Sequence, residues 1–147
     1  MEICTQYLLP VYVERSHSGD GAHIWFFFED AYPAYKSRLI TFTLLRAVGI
    51  IDEFAQADSF DRLFPNQDYL SKKGFGNLIA LPLQCGPRQK GNSVFVDVAS
   101  GFTTYPDQWE ILAAIQKISP KVLDALFEQF AESGKEETLT KTVAMTL

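Results

Sequence analysis

Between Glu14 and Asp30 the chain reads "ERSHSGDGAHIWFFFED", with two serines and two glycines packed ahead of His23. Such residues suit the capture of a charged group. Glycine lets backbone N–H groups turn toward an anion without a Cβ in the way, and serine hydroxyls add donors. A histidine at the head of the following strand adds a donor for a phosphate oxygen. Ser16, Ser18, Gly19, Gly21 and His23 therefore form a candidate triphosphate-binding bend. The plainer alternative is a hairpin loop in which the glycines satisfy turn geometry and His23 caps the strand edge. The bend is not a Walker loop, because no Gly-Lys-Ser/Thr closes it. It is not a dinucleotide fingerprint either, since a strand and not a helix follows.

Other clusters carry less chemistry. His17, Asp20 and His23 lack the spacing of a common zinc pattern and a third strong ligand. Cys4 and Cys85 are too few for a disulfide framework or a thiolate zinc site, and they suit reduced thiols in a cytoplasmic protein. "KGFGNLIA" (73–80) opens like the RNA-recognition strand motif, but Asn77 and Ala80 stand where stacking aromatics are needed, leaving only Phe75. That excludes a sequence-specific RNA-recognition module. Between Tyr69 and Val96 lie Lys72, Lys73, Arg88 and Lys90 and not one acidic residue, a local basic stretch suited to solvent or to phosphate. "FDRLFPNQD" (60–68) reads as a loop structured by turn and capping hydrogen bonds.

The elements that must position these groups follow from periodicity. At 147 residues, 47% apolar and 14% aromatic, the chain suits one soluble domain with a proper core. A net charge of −5 argues against coating nucleic acid over the whole surface. No segment has the length of a membrane span, and "MEICTQYLLP" lacks the basic start of a signal peptide. Residues 2–8 offer one or two helical turns. Strands are expected at 10–16 and 23–28, joined as an antiparallel hairpin by the loop 16–22. The continuous apolar run of the second strand predicts cover on both faces.

A helix follows from Pro33 to about Val48, stopped by Gly49. Strands are expected at 77–83 and 93–98 around the loop "QCGPRQKGN". One helix after Pro106 would carry Trp109, Leu112, Ile115 and Ile118 on one side. Ser119-Pro120 opens a last one. The order predicts an α+β fold. Residues 1–133 would form the domain, and the charged, threonine-rich stretch 134–147 a mobile tail.

Taken jointly, "ERSHSGDGAHIWFFFE", "FDRLFPNQDYLSKKGFGNLIALPLQ", "GNSVFVD" and "YPDQW" resemble the archaeo-eukaryotic-type primase domain of TOTE conflict systems. The resemblance runs from about Leu9 to Trp109. It implies an RRM-like primase-polymerase core with a mostly antiparallel sheet. The implied activity is template-directed nucleotidyl transfer from nucleoside triphosphates with a divalent metal, Mg or Mn. The implied partners are nucleic acid and nucleotide, with a helicase commonly attached.

By the same resemblance Ser18 and His23 occupy the serine/histidine motif that holds the triphosphate, with His23 catalytic. An acidic residue completes the metal site: Asp61 is the first choice and Asp97 the alternative. Lys72, Lys73 and Asn77 would lie near phosphates. The family holds its metal ions chiefly with an Asp-x-Asp pair, and no Asp-x-Asp occurs in these 147 residues. The expectation is thus a partial primase-like domain lacking its N-terminal strand or strands, inactive alone. A non-catalytic nucleotide- or single-strand-binding module is the alternative. An open sheet edge would favour a homodimer.

Overall fold

The computed structural model describes residues 1–51, 60–70, 74, 76 and 78–144, with only the backbone described over 135–144. The fold is α+β, built on an antiparallel sheet. The chain divides into two compact units, Met1–Glu29 with Ile79–Ile118, and Asp30–Leu78 with Ser119–Leu147.

The first unit holds the sheet. Its strands are β1 (Tyr12–Arg15), β2 (Ala22–Trp25), β3 (Phe95–Asp97) and β4 (Thr103–Thr104), in the order β2-β1-β3-β4. Val13 pairs with Ile24 and with Val96, and Glu14 with His23 and with Phe95. Strand parity separates the two faces. Val13 and Val96 share one face and, with Val94, form a buried cluster backed by Leu83 and Val98. Tyr12, Glu14, His23, Trp25 and Phe95 share the other.

That second face is aromatic. Tyr12 meets Phe27 and Phe95 edge-on at 5.8 and 6.4 Å, and Trp25 stacks on Phe27 at 6.0 Å. Such offset and T-shaped contacts add stabilisation beyond the area buried.

The expected hairpin forms, but its second strand is not covered on both sides. β2 stands at an edge of the sheet, and Ile24 is exposed. The apolar run continues out of the sheet: Phe28 bridges Ile118, with Ile118 N–H donating to the Phe27 carbonyl at 2.7 Å. Ile118 thus serves a strand contact and not the helix face expected for it. Helix α4 (Gln108–Ala113) stops earlier, and Trp109 and Leu112 on it are exposed.

The strand expected over 77–83 is absent at the described positions 78–83, where Leu78 and Leu81 are exposed. Pro82 has no N–H to give a ladder and Leu83 turns to φ 64°, so the segment does not hold extended pairing. The loop after it contains the short helix α3 (Cys85–Arg88). A further short helix, α1 (Glu2–Gln6), precedes β1 and buries Cys4.

The string "YPDQW" has a structural account. Asp107 caps α4 by accepting from the N–H groups of Trp109 and Glu110. The buried Gln108 amide accepts from Phe95 N–H at 2.6 Å and donates to the Phe95 and Tyr105 carbonyls at 2.9 Å. One side chain thereby closes backbone groups that the short β4 leaves open.

In the second unit α2 (Ala34–Ala47) packs on α5 (Pro120–Ala144) through Ile40, Leu44, Leu123, Leu126 and Phe130. Pro33 sits at the N-cap of α2, one place before the position expected for it, and α5 runs on through Gly134. Lys36 and Tyr32 both donate to the Asp124 carboxylate, at 2.6 and 2.9 Å. The loop 60–68 is held as expected for a structured segment: Arg38 donates to the Pro65 carbonyl at 2.7 Å and to Asp68 at 2.6 Å. No helix among the described residues is long and apolar enough to cross a membrane.

Candidate functional site: a histidine held by a buried glutamate

The bend Ser16–Gly21 is tied at its base by Ser16 N–H donating to the Gly21 carbonyl at 2.8 Å. Inside it, Gly19 N–H donates to the Ser16 carbonyl, Asp20 N–H to Ser18 Oγ and Gly21 N–H to Ser16 Oγ, at 3.1–3.3 Å. The two hydroxyls lie 3.2 Å apart. The amides expected to cradle an anion therefore close on the loop's own oxygens.

The two glycines are not equivalent. Gly19 sits at φ 91°, and a Cβ there would come within 2.8 Å of Asn92 Oδ1. Gly21 has ordinary φ, and a Cβ would meet Ser16 Oγ at a comfortable 3.8 Å. Only Gly19 is required by the backbone.

His23 follows at the edge strand with its side chain 48% exposed. Its Nδ1 lies 3.1 Å from Glu14 Oε2 on the neighbouring strand. Glu14 is 2% exposed and was not among the candidates read from sequence. Trp25 Nε1 donates to the same oxygen at 2.7 Å, and Ser93 Oγ donates to Oε1 at 2.8 Å. Two donors and the His23 ring nitrogen converge on one buried carboxylate, which is what such burial requires.

Ser93 also accepts from Gln84 N–H, and the preceding Asn92 donates from Nδ2 to the His17 carbonyl. The string "GNSVFVD" thus fixes the string "ERSHSGDGAHIW" at two points. Next along β1, Arg15 reaches the Gly91 and Phe102 carbonyls, both at 2.9 Å. Nε2 of His23 has no protein partner among the described residues.

Asp97, the alternative metal candidate, takes no part in these contacts. Asp97 is on the same sheet face by parity, two residues beyond Phe95, but both its oxygens are engaged. Oδ1 accepts from Ala99 N–H at 2.9 Å and Oδ2 from Ser100 Oγ at 2.6 Å. The Ser100 bond, helped by backbone N–H groups, holds this carboxyl below its ordinary range. It also lines a largely apolar cavity of about 370 Å³ with Tyr12, Val96 and Tyr105.

Asp61 belongs to the second unit, is 82% exposed and pairs with Arg62 at 3.0 Å. Lys72, Lys73 and Asn77 lie outside the described residues. Of the expected basic stretch, Arg88 stacks on Trp109 at 5.3 Å. No group of three His, Cys, Asp or Glu side chains suited to a metal ion occurs among the described residues. The described donors therefore do not by themselves complete a two-ion site.

Comparison with curated proteins finds no match. Comparison with protein families matches residues 1–126 to the family described as the archaeo-eukaryotic primase domain of TOTE conflict systems. The match covers all of the sheet unit, including both strings that meet at Glu14. The chain belongs to the TOTE-type archaeo-eukaryotic primase domain family.

Proposed function

We propose that this chain is a primase-polymerase-type nucleotidyltransferase domain that takes the triphosphate of an incoming nucleotide at His23, Ser18 and Ser16. Family membership supports the reaction class. The observation that carries the binding role is the half-exposed His23 ring, anchored through one nitrogen and without a protein partner at the other among the described residues. A ring that served only to close the hairpin would not need a buried carboxylate behind it. In this reading phosphate oxygens exchange for the loop's long internal contacts, drawing the Ser16 and Ser18 hydroxyls and neighbouring N–H groups onto the anion. Gly19 keeps the bend in the conformation that permits this.

Catalysis in such a domain needs metal ions to activate the attacking hydroxyl and steady the leaving phosphate. Asp61 is kept as the first choice of ligand and Asp97 as the alternative; the oxygens of Asp97 accept within its own turn, and those of Asp61 face Arg62. Among the described residues neither belongs to a group of His, Cys, Asp or Glu suited to a metal ion, and the sequence has no Asp-x-Asp. The reading for this chain alone therefore ends at substrate binding, without strand synthesis. Lys72, Lys73 and Asn77 enter it through the sequence string only, as does an attached helicase.

Calorimetric titration with a nucleoside triphosphate in EDTA tests it. Binding should be measurable without metal and weaken at least about tenfold in His23→Ala, the scale of one charge-assisted contact. Absence of binding at millimolar nucleotide overturns the proposal. Template-dependent extension by the isolated chain with Mg or Mn would overturn the restriction to binding.

A further inference from the structure

We infer that Glu14 is a positioning residue that fixes the tautomer of His23 and so makes polyphosphate capture at this site proton-coupled; this rests on the binding role proposed for His23. Trp25 Nε1 is an obligate donor, so Glu14 Oε2 must accept from it at 2.7 Å. The same oxygen faces His23 Nδ1 at 3.1 Å, and Oε1 is taken by Ser93 Oγ. An acceptor-only carboxylate meets all three contacts when Nδ1 carries the hydrogen.

The neutral ring then has a bare lone pair at Nε2, the nitrogen left for a ligand. A phosphate oxygen is also an acceptor, so the two repel. Only the doubly protonated ring offers Nε2–H to the anion. Each anion bound to the neutral ring therefore takes up one proton, which protonates Nε2; no other bond is made or broken.

The titratable group packed on the ring is Glu14, from β1. The entering loop contributes His17 and Asp20, while the neighbouring Arg15 is directed to the Gly91 and Phe102 carbonyls. Glutamine at position 14 can reproduce the contacts, its carbonyl toward Trp25 and His23 and its amide toward Ser93. Leucine cannot, and it frees the ring to take the Nε2–H form that unconstrained histidine prefers.

The test has two arms on the full 147-residue chain. Nitrogen-15 NMR of the histidine rings, without ligand and above their titration, should show His23 as Nδ1–H in the wild type and in Glu14→Gln. It should shift toward Nε2–H in Glu14→Leu. Titration with inorganic tripolyphosphate from about pH 8 to about pH 6 should show wild-type affinity rising by up to about tenfold per unit fall in pH, one proton's worth. Glu14→Gln should keep that slope and Glu14→Leu should flatten it. The anion's own titration is common to all three proteins and cancels in the comparison.

A merely structural Glu14 would lower affinity equally at every pH. Nε2–H in the wild type overturns the inference, even if Glu14→Leu does not fold. Equal slopes in wild type and Glu14→Leu overturn it too. The expected tautomer without tripolyphosphate binding overturns the triphosphate reading, and the proton-coupled capture with it, while leaving the hold of Glu14 on His23 in place.

Discussion

Glu14 in the sheet unit and Asp124 in the helical unit each gather side-chain donors, and the two are built in opposite senses. In the sheet unit the carboxylate is the buried partner: Glu14 is 2% exposed, and the histidine it holds is half in solvent. In the helical unit the carboxylate is the outer partner: Asp124 is 46% exposed and Lys36 is the more buried at 24%. Lys36 also lies over the Tyr32 and Phe127 rings at 5.7 and 5.1 Å. There the network closes on itself and joins α2 to α5. Around Glu14 the anchoring is inside and the unspent atom is outside, an arrangement that presents a group and does not merely join two elements. Which partner is buried, more than how many bonds are made, separates a site from a strut.

The sharpest way to break this contrast is to remove the inner anchor. Glu14→Leu leaves Trp25 Nε1 and Ser93 Oγ without their acceptor in a closed region, which should cost roughly 3 kcal/mol of stability. Chemical denaturation measures it. His23→Ala, removing the outer partner, should cost less than about 1 kcal/mol, because the ring is already half hydrated. A reversed order would make His23 the structural member of the pair.

Gln108→Ala asks whether burial or charge makes an inner anchor strong. Gln108 is neutral, yet its amide holds three backbone groups around Phe95. Losing it should cost about 2 kcal/mol, chiefly by orphaning the buried Phe95 N–H, since the Phe95 carbonyl still accepts from Tyr105 N–H. A loss as large as that of Glu14→Leu would show that burial alone sets the scale.

Much of this contrast was out of reach of the sequence for reasons of register. The small-residue bend, the helix from Pro33 and the Ser119-Pro120 start are local signals, and they read directly. Glu14 is different. A loop of 16–22 would pair Arg15 with His23 and set Glu14 opposite Ile24, on a different row. The observed pairing of Arg15 with Ala22 moves the register by one residue and brings Glu14 opposite His23. Asn92 and Ser93 were legible only as residues ahead of an apolar strand, since their partners are more than 70 positions away. Long-range polar contacts leave no period in a sequence. The strand expected at 77–83 is absent at positions 78–83, and the helix expected after Pro106 forms but ends at Ala113, because apolar content was read as burial where Leu81, Leu112 and Trp109 face solvent.

A smaller effect separates shaping from holding within the bend itself. Gly19→Ala places a Cβ in left-handed backbone and against Asn92, and should cost about 1 kcal/mol together with a comparable loss in triphosphate affinity. Gly21→Ala meets neither obstacle and should change both by less than about 0.5 kcal/mol. Equal losses at the two positions would mean that the loop's flexibility matters and not its fixed shape.

The smallest change is expected at the outer carboxylate, and it should appear only as a dependence on pH. Lys36 and Tyr32 hydrogen bonds hold the Asp124 carboxyl below its ordinary range, and the Asp124 bond raises Lys36 above its ordinary value. Each shift makes a signed contribution to stability. The Asp124 contribution is full above the unfolded carboxylate range and is lost as pH falls through the folded, lowered value. The Lys36 contribution is full below the unfolded lysine value and is lost as pH rises through the folded, raised one. The pair therefore supports the α2–α5 contact across neutral pH and weakens at both extremes. Asp124→Asn should flatten both limbs of the denaturation midpoint against pH while leaving the pH dependence of tripolyphosphate binding at His23 unchanged. If that binding slope moved with Asp124, the helical network would be acting on the histidine, and the division between strut and site would not hold.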